Sequence, residues 1–313
     1  VLIEVAACGV CRTVLQIATG DLPPRKLPIV PGHQVVGRVI EVGADVDRAQ
    51  VGRTVGLVWL AETCGECRYC LGGRENLCLA ARFTGWDVDG GYATQVVARA
   101  DFAFDLTDLL TPKVGPHRHP TDVAPLLCGG VIGYRSLRVA GVTPESAGLK
   151  LGLFGFGASA RLAQQVAHHW GVETYVVTRS PREVEAALAS GAVWAGTYDR
   201  RPPTSLDAAV TFAPVGTVVV AALKSLDRGG CVAINAIHLD DLPPIDYNDL
   251  WWERQIRSVA NVTRTDVVEF LSIVAKAGIQ TEYEELPLSA ANDALARLTV
   301  GDVRGSFVLN CGS

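Results

Sequence analysis

The chain has 313 residues, 49% hydrophobic and 19% charged, with 32 glycines, which fits an ordered, turn-rich protein too long for one ordinary core; two domains of unequal size are expected. The formal net charge of −5, with Lys and Arg scattered singly, excludes a surface built for polyanions, so nucleic acid is not an expected partner. No apolar run approaches the roughly 18 residues that span a bilayer, and no basic N-terminal segment leads into an apolar core, so the expectation is a cytoplasmic protein with no membrane partner.

Leu2 to Ala7 already reads as a mid-sheet strand, so the natural N-terminus and some first strands are expected to be missing from this sequence. Through about residue 105, β-branched runs broken by Gly and Pro (Val35 to Val42, Val51 to Leu60, Gly91 to Ala98) read as an all-β half. The rhythm changes near Asp122, and Val123 to Ala140 carries apolar residues at helical spacing.

From Lys150 strands and helices alternate: Leu151 to Phe154, Ser159 to Trp170, Thr174 to Thr178, Pro181 to Ser190, Asp207 to Phe212, Thr217 to Leu226 and Cys231 to Ile237. Such alternation predicts a parallel sheet wrapped by helices. After Ile256 to Ala260 come two helices, Asp266 to Ala277 and Ala290 to Leu298, and a closing strand, Ser306 to Asn310, expected to rejoin the first domain.

Nine cysteines are an odd number for a disulfide framework, and four of them crowd together: Cys64, Cys67, Cys70 and Cys78 stand as C-x2-C-x2-C-x7-C. Two-residue gaps let neighbouring thiolates converge on one ion, and four thiolates close a tetrahedral zinc shell with no room for substrate. Strained disulfides and an iron-sulfur cluster are the alternatives. Three further residues carry ligand chemistry without any spacing that joins them: Cys11 in Cys8-Gly9-Val10-Cys11-Arg12-Thr13, His33 in Pro31-Gly32-His33-Gln34, and Cys128 in Leu126-Leu127-Cys128-Gly129-Gly130. Taken singly, a cysteine in an apolar stretch reads as a small buried hydrophobe and a histidine after Pro-Gly as a loop residue.

Leu151 to Ala160 places G-x-G-x-x-A (Gly155, Gly157, Ala160) between a predicted strand and a predicted helix, the context in which the glycines let pyrophosphate approach the backbone at a helix N-terminus. The next strand ends in Val177-Thr178-Arg179-Ser180, without the carboxylate that holds the ribose hydroxyls of NAD. Neutral Thr178 followed by Arg179 suits a 2′-phosphate, so NADP(H) is favoured, with NAD(H) as the alternative.

The run Cys11-Arg12-Thr13, then Pro31-Gly32-His33 with Val36-Gly37, then the four-cysteine loop, Cys128 and the glycine turn, resembles the zinc-containing medium-chain alcohol dehydrogenases in content and order over nearly the whole chain. The resemblance implies an α/β protein: a GroES-like, β-rich catalytic domain (1–129 with 261–313) plus a Rossmann doubly wound parallel sheet (130–260). It implies Cys11, His33 and Cys128 as ligands of a catalytic zinc, hence two Zn2+ per chain. Thr13 then bonds the substrate oxygen, Arg12 and Arg304 contact the cofactor phosphates, and Trp59 and Trp86 wall a largely apolar pocket for a small or medium-sized alcohol or aldehyde, with core packing as the alternative role of the two indoles. A homo-oligomer, dimer or tetramer, is implied as well.

This chain departs from the family pattern at three places. Val14 stands where a carboxylate usually orients the ligand imidazole, Gln16 where His often relays a proton, and Gln34 where Glu is usual. A less firmly held metal or a slower enzyme is the expectation. The rivals are a non-catalytic or weakly active NADP-binding member of the same fold, a zinc-ribbon interaction module joined to a nucleotide-binding domain, and a zinc-free quinone or enone reductase, whose relatives generally lack the four-cysteine loop.

Overall fold

The computed structural model of the chain describes residues 1–111 and 117–312. They form two compact units, Val1–Val131 together with Asn261–Ser313, and Ile132–Ala260. No described helix is long and apolar enough to cross a membrane.

The first unit is built on the strand Leu2–Val10, which is paired along both edges. One edge takes Gln34–Glu41 antiparallel; the other takes Gln95–Val97 beside Leu2–Glu4 and Ser306–Asn310 beside Ala7–Val10. The closing strand therefore lies in the same sheet as the opening one, with Tyr283–Pro287 outside it. Ile3 and Phe307 are fully buried in the core of this sheet. Each contributes about 1.5–3 kcal/mol by leaving water.

The second unit is a six-stranded, all-parallel sheet in the order Trp194–Thr197, Glu173–Thr178, Lys150–Phe154, Leu206–Thr211, Leu226–Ile234, Gln255–Ser258. Counted along the unit this is 3-2-1-4-5-6, the Rossmann doubly wound order. Leu151, Leu153 and Phe154 are all buried because helices cover both faces of a parallel sheet, so central strands read as unbroken apolar runs. Helix Ala158–His169 buries Ala160, Leu162, Ala163, Val166 and Ala167, one stripe of its surface.

Three expectations need correction. The half read as all-β holds a helix, Arg12–Thr19, which buries Val14, Leu15 and Ile17 and ends at Gly20 with φ +85°. The β-branched residues at its start mask a short helical stripe that only the sheet beneath it makes worthwhile. The single helix expected over Val123 to Ala140 is broken into Pro120–Val123, a 3-10 turn Ala124–Leu127, and Gly129–Val139. Pro125 lacks the N–H that would continue a helix, and Cys128 (φ −131°, ψ −75°) stands outside both segments. Strand Trp194–Thr197 occupies a stretch, between Pro181 to Ser190 and Asp207 to Phe212, for which no element is expected from the sequence; it is a short edge strand whose Ala195 and Gly196 give little apolar signal.

Candidate functional site

Three residues from remote stretches converge in the first unit, each at a junction between elements. Cys11 follows the strand Leu2–Val10 and begins the helix Arg12–Thr19; its carbonyl accepts from the N–H groups of Val14 and Leu15. His33 directly precedes the strand Gln34–Glu41. It is aimed by Gly32 at φ +96°, where a Cβ would lie 2.3 Å from the Tyr92 ring. Cys128 sits at the break before Gly129–Val139. His33 Nε2 lies 3.3 Å from Cys11 Sγ and 3.4 Å from Cys128 Sγ, and the three donor atoms are all within 4.8 Å of one another.

Two thiols and one imidazole nitrogen form a ligand set for zinc, and in a tetrahedral site sulfur and nitrogen stand about 3.6 Å apart. The fit is within a few tenths of an ångström, and three protein ligands leave a coordination position for substrate. A hydrogen bond from Cys128 and the neighbouring His33 hold the Cys11 thiol well below its ordinary pKa, whereas Cys11 and burial push Cys128 up. The cluster thus already favours a thiolate, the form that binds a cation.

The second cluster lies on a loop flanked by the paired strands Leu60–Glu62 and Arg82–Phe83. Cys67 Sγ is 3.5 Å from Cys70 Sγ, Cys78 Sγ is 3.5 Å from Cys64 Sγ, and Cys64 Sγ is 3.9 Å from Cys70 Sγ. These spacings bracket the about 3.8 Å between sulfurs around one zinc and far exceed a disulfide bond of about 2.05 Å. All four thiols are free. The N–H groups of Glu66 and Cys67 lower the Cys64 pKa to about 6, while burial raises that of Cys78 to about 11.

Trp59 brings its ring within 6.1 Å of His33, stacks on Trp86 at 5.6 Å and meets Phe83 at 4.6 Å. Both sequence-derived tryptophans are therefore side by side next to the cysteine–histidine cluster. Phe83 completes the aromatic group and was not singled out by the sequence; its place two residues past the alanines after Cys78 carries no local signal. Trp86 is fixed by donating Nε1–H to Pro23 O at 2.9 Å and by Arg25, stacked 3.8 Å above its ring. Thr13 is half-buried in the first turn of Arg12–Thr19, two residues from Cys11 rather than at a strand end, while Arg12 is exposed. Arg304 is 73% exposed, its Nε 3.7 Å from Glu282.

In the second unit, strand Lys150–Phe154 leads through Gly155, at φ +97°, to Gly157, which begins helix Ala158–His169. A side chain on Gly157 would enter open space, so the turn offers bare backbone at a helix N-terminus, a cradle for pyrophosphate. Ala160 is fully buried. Thr178, buried, ends the neighbouring strand, and Arg179 after it is exposed.

Residues 1–108 match the alcohol dehydrogenase GroES-like domain. The chain is 46% identical, over 98% of its length and 88% of the relative's, to the Mycobacterium tuberculosis protein described as "Probable alcohol dehydrogenase AdhA". It belongs to the zinc-containing medium-chain alcohol dehydrogenases. An alcohol dehydrogenase of Geobacillus stearothermophilus is 34% identical over 99% of the chain and 91% of that protein. Among solved structures, the cinnamyl alcohol dehydrogenase SbCAD4 of Sorghum bicolor superposes with a TM-score of 0.87 at 25% identity, covering 99% of this chain and 89% of that one.

In this alcohol dehydrogenase the three departures have structural consequences. His33 is 1% exposed, yet among the described residues its buried Nδ1 has no hydrogen-bond partner, and Val14, fully apolar, is buried in the helix that Cys11 begins. A metal-ligating imidazole ordinarily gives that second N–H to a carboxylate or carbonyl, which fixes its orientation. Gln16 Oε1 is likewise buried without a partner, and Gln34 packs its side-chain amide against the bare Cα of Gly9.

Proposed function

We propose that this alcohol dehydrogenase is a two-zinc enzyme that moves a hydride between NADP(H), in preference to NAD(H), and a small alcohol or aldehyde. The convergence of Cys11, His33 and Cys128 on one point with a position to spare is the observation that carries the reading. Cys64, Cys67, Cys70 and Cys78 would hold the second ion, which closes their loop and meets no substrate. When bound, the ion at Cys11, His33 and Cys128 supplies Lewis-acid polarisation of the substrate oxygen, and the nicotinamide ring gives or takes the hydride.

The chain's own residues do the rest. The Thr13 hydroxyl bonds the substrate oxygen and, in the oxidative direction, accepts its proton while releasing its own to water, because with Gln16 in place of a histidine that position offers no imidazole to take it. Trp59 and Trp86, backed by Phe83, form an apolar wall that excludes water and accepts the carbon skeleton of the substrate. Gly155 and Gly157 receive the pyrophosphate, while Ala160, fully buried in the helix behind them, serves its packing instead of touching the phosphate; Arg179 takes the 2′-phosphate, and Arg12 and Arg304 contact the cofactor phosphates. A homo-oligomer belongs to the same reading.

The experiment is metal stoichiometry measured alongside NADPH consumption over a panel of aldehydes, for the native chain and Thr13→Val. Two zinc equivalents with turnover, and a Thr13→Val chain that keeps both equivalents but loses about 10²–10⁴-fold in kcat, support the reading. One equivalent, or a Thr13→Val chain with substantial turnover, overturns it. The unsupported His33 Nδ1 favours a second reading, a member of the fold that binds cofactor and turns over weakly or not at all. Two equivalents and no NADPH consumption would establish that one instead.

A further inference from the structure

The strand Glu173–Thr178 carries no carboxylate at its end, yet a carboxylate stands there. Helix Pro181–Ala189 begins three residues after Thr178, and Glu183 in its first turn folds back so that Oε2 accepts the hydrogen bond of Thr178 Oγ1. Among the described residues Glu183 makes no ion pair and its Oε1 meets no donor. Thr178 adjoins the glycine turn, because Gly155 N–H donates at 2.7 Å to Val177 O, the carbonyl just before it. On the other side Thr178 is in register with Thr197, so Tyr198 follows beside Arg179. Burial raises the Tyr198 pKa, Glu183 adds to the rise and Arg179 opposes it, which puts all three groups within electrostatic reach of one another.

We propose that Glu183, borne by the helix instead of the strand, is the carboxylate that meets the adenosine ribose of the cofactor in this chain, and that it opposes Arg179 in the choice between NADP(H) and NAD(H). The proposal rests on the reading of the glycine turn as a dinucleotide site. A carboxylate at this place accepts from the ribose 2′- and 3′-hydroxyls and repels a 2′-phosphate. The Thr178 hydroxyl, already donated to Glu183, is not available to a phosphate oxygen. Arg179, exposed and without an ion pair among the described residues, is available, and its donors suit phosphate. Preference for the phosphorylated cofactor is then a balance of two opposed charges, and either residue shifts it alone.

The test titrates NADP+ and NAD+ separately into the full chain by calorimetry, for the native protein, Glu183→Gln and Arg179→Gln. Glutamine keeps the size of Glu183 and an oxygen for Thr178 but loses the charge. Glu183→Gln is expected to tighten NADP+ about tenfold and weaken NAD+ severalfold, and Arg179→Gln to weaken NADP+ about tenfold with NAD+ little changed. Opposite movement of the two cofactors is a signature that damage to the fold cannot imitate, since damage weakens both. If Glu183→Gln weakens both together, or shifts the ratio less than twofold, the role of Glu183 is wrong. If the native chain binds neither cofactor, the dinucleotide reading itself fails, and the proposal with it.

Discussion

Glu75 holds Arg264 by four contacts across 189 residues of sequence: Arg264 donates from Nη2 to Oε2 at 2.7 Å, from Nε to both carboxylate oxygens at 3.0 and 3.2 Å, and from its backbone N–H to Oε1 at 2.7 Å. Glu75 lies between Cys70 and Cys78 on the cysteine loop, and Arg264 opens helix Arg264–Ala277. The pair therefore ties the metal loop to the segment that returns to the first unit. Glu75→Ala leaves a buried end of this pair empty and the helix N-terminus short of an acceptor. It is expected to cost about 2–3 kcal/mol, less than a fully buried pair because the Arg264 side chain is 38% exposed and partly screened. Urea unfolding checks this, with the midpoint falling and the slope unchanged.

The four-cysteine loop is expected to act on stability before it acts on turnover. Cys67→Ser removes one thiolate from a closed shell, so one metal equivalent per chain should disappear and Tm should fall by on the order of 10 °C. Elemental analysis and a thermal melt on the same sample read both. A variant that keeps both equivalents would show that this cluster is no zinc site.

Buried and unpartnered, the Nδ1 of His33 predicts a metal that leaves easily. Val14→Asp puts a carboxylate on the helix of Cys11 where the family usually has one, and tenfold slower zinc loss to a chelator is about the lower end of what such support provides. Release kinetics with a colorimetric chelator give the number, and they need no turnover to be observed. Equal or faster loss would mean that the aspartate does not reach the imidazole.

His168 makes part of the stability of the second unit depend on pH. Its Nε2 lies 2.9 Å from Thr174 Oγ1, which also accepts from Gln164 Nε2 at 3.2 Å, and burial lowers its pKa below the ordinary 6.5. Between the lowered native value and 6.5 the unfolded chain binds the proton that the native chain refuses. Stability contributed by the neutral ring is therefore complete above 6.5 and lost as pH falls below it. Unfolding free energies measured from pH 7.5 downward should decline for the native chain and decline less for His168→Gln.

Much of the second unit was legible because its strands and helices each carry a local pattern: unbroken apolar runs at Leu151–Phe154 and stripes at Ser159–Trp170. The strand Trp194–Thr197 escaped because its order comes from pairing with Tyr175–Thr178, not from its own residues. The cysteine loop announced itself by spacing, since ligands separated by only two residues must be neighbours in space. Glu183 did not, because nothing in Arg179-Ser180-Pro181-Arg182-Glu183 says that the next helix will turn its first acidic side chain back to the strand end.

By itself the sequence determined what is local: the four-thiol loop, the glycine turn between strand and helix, and the alternation that makes a parallel sheet. Tertiary structure alone decided that Cys11, His33 and Cys128 share one point, that His33 lacks a partner for its second nitrogen, and that Glu75 meets Arg264. The physical reason is the range of the interactions. Backbone hydrogen bonds and side-chain periodicity act over a few residues, whereas a site assembled from three element junctions exists only once long-range strand pairing has spent the chain entropy needed to bring them together.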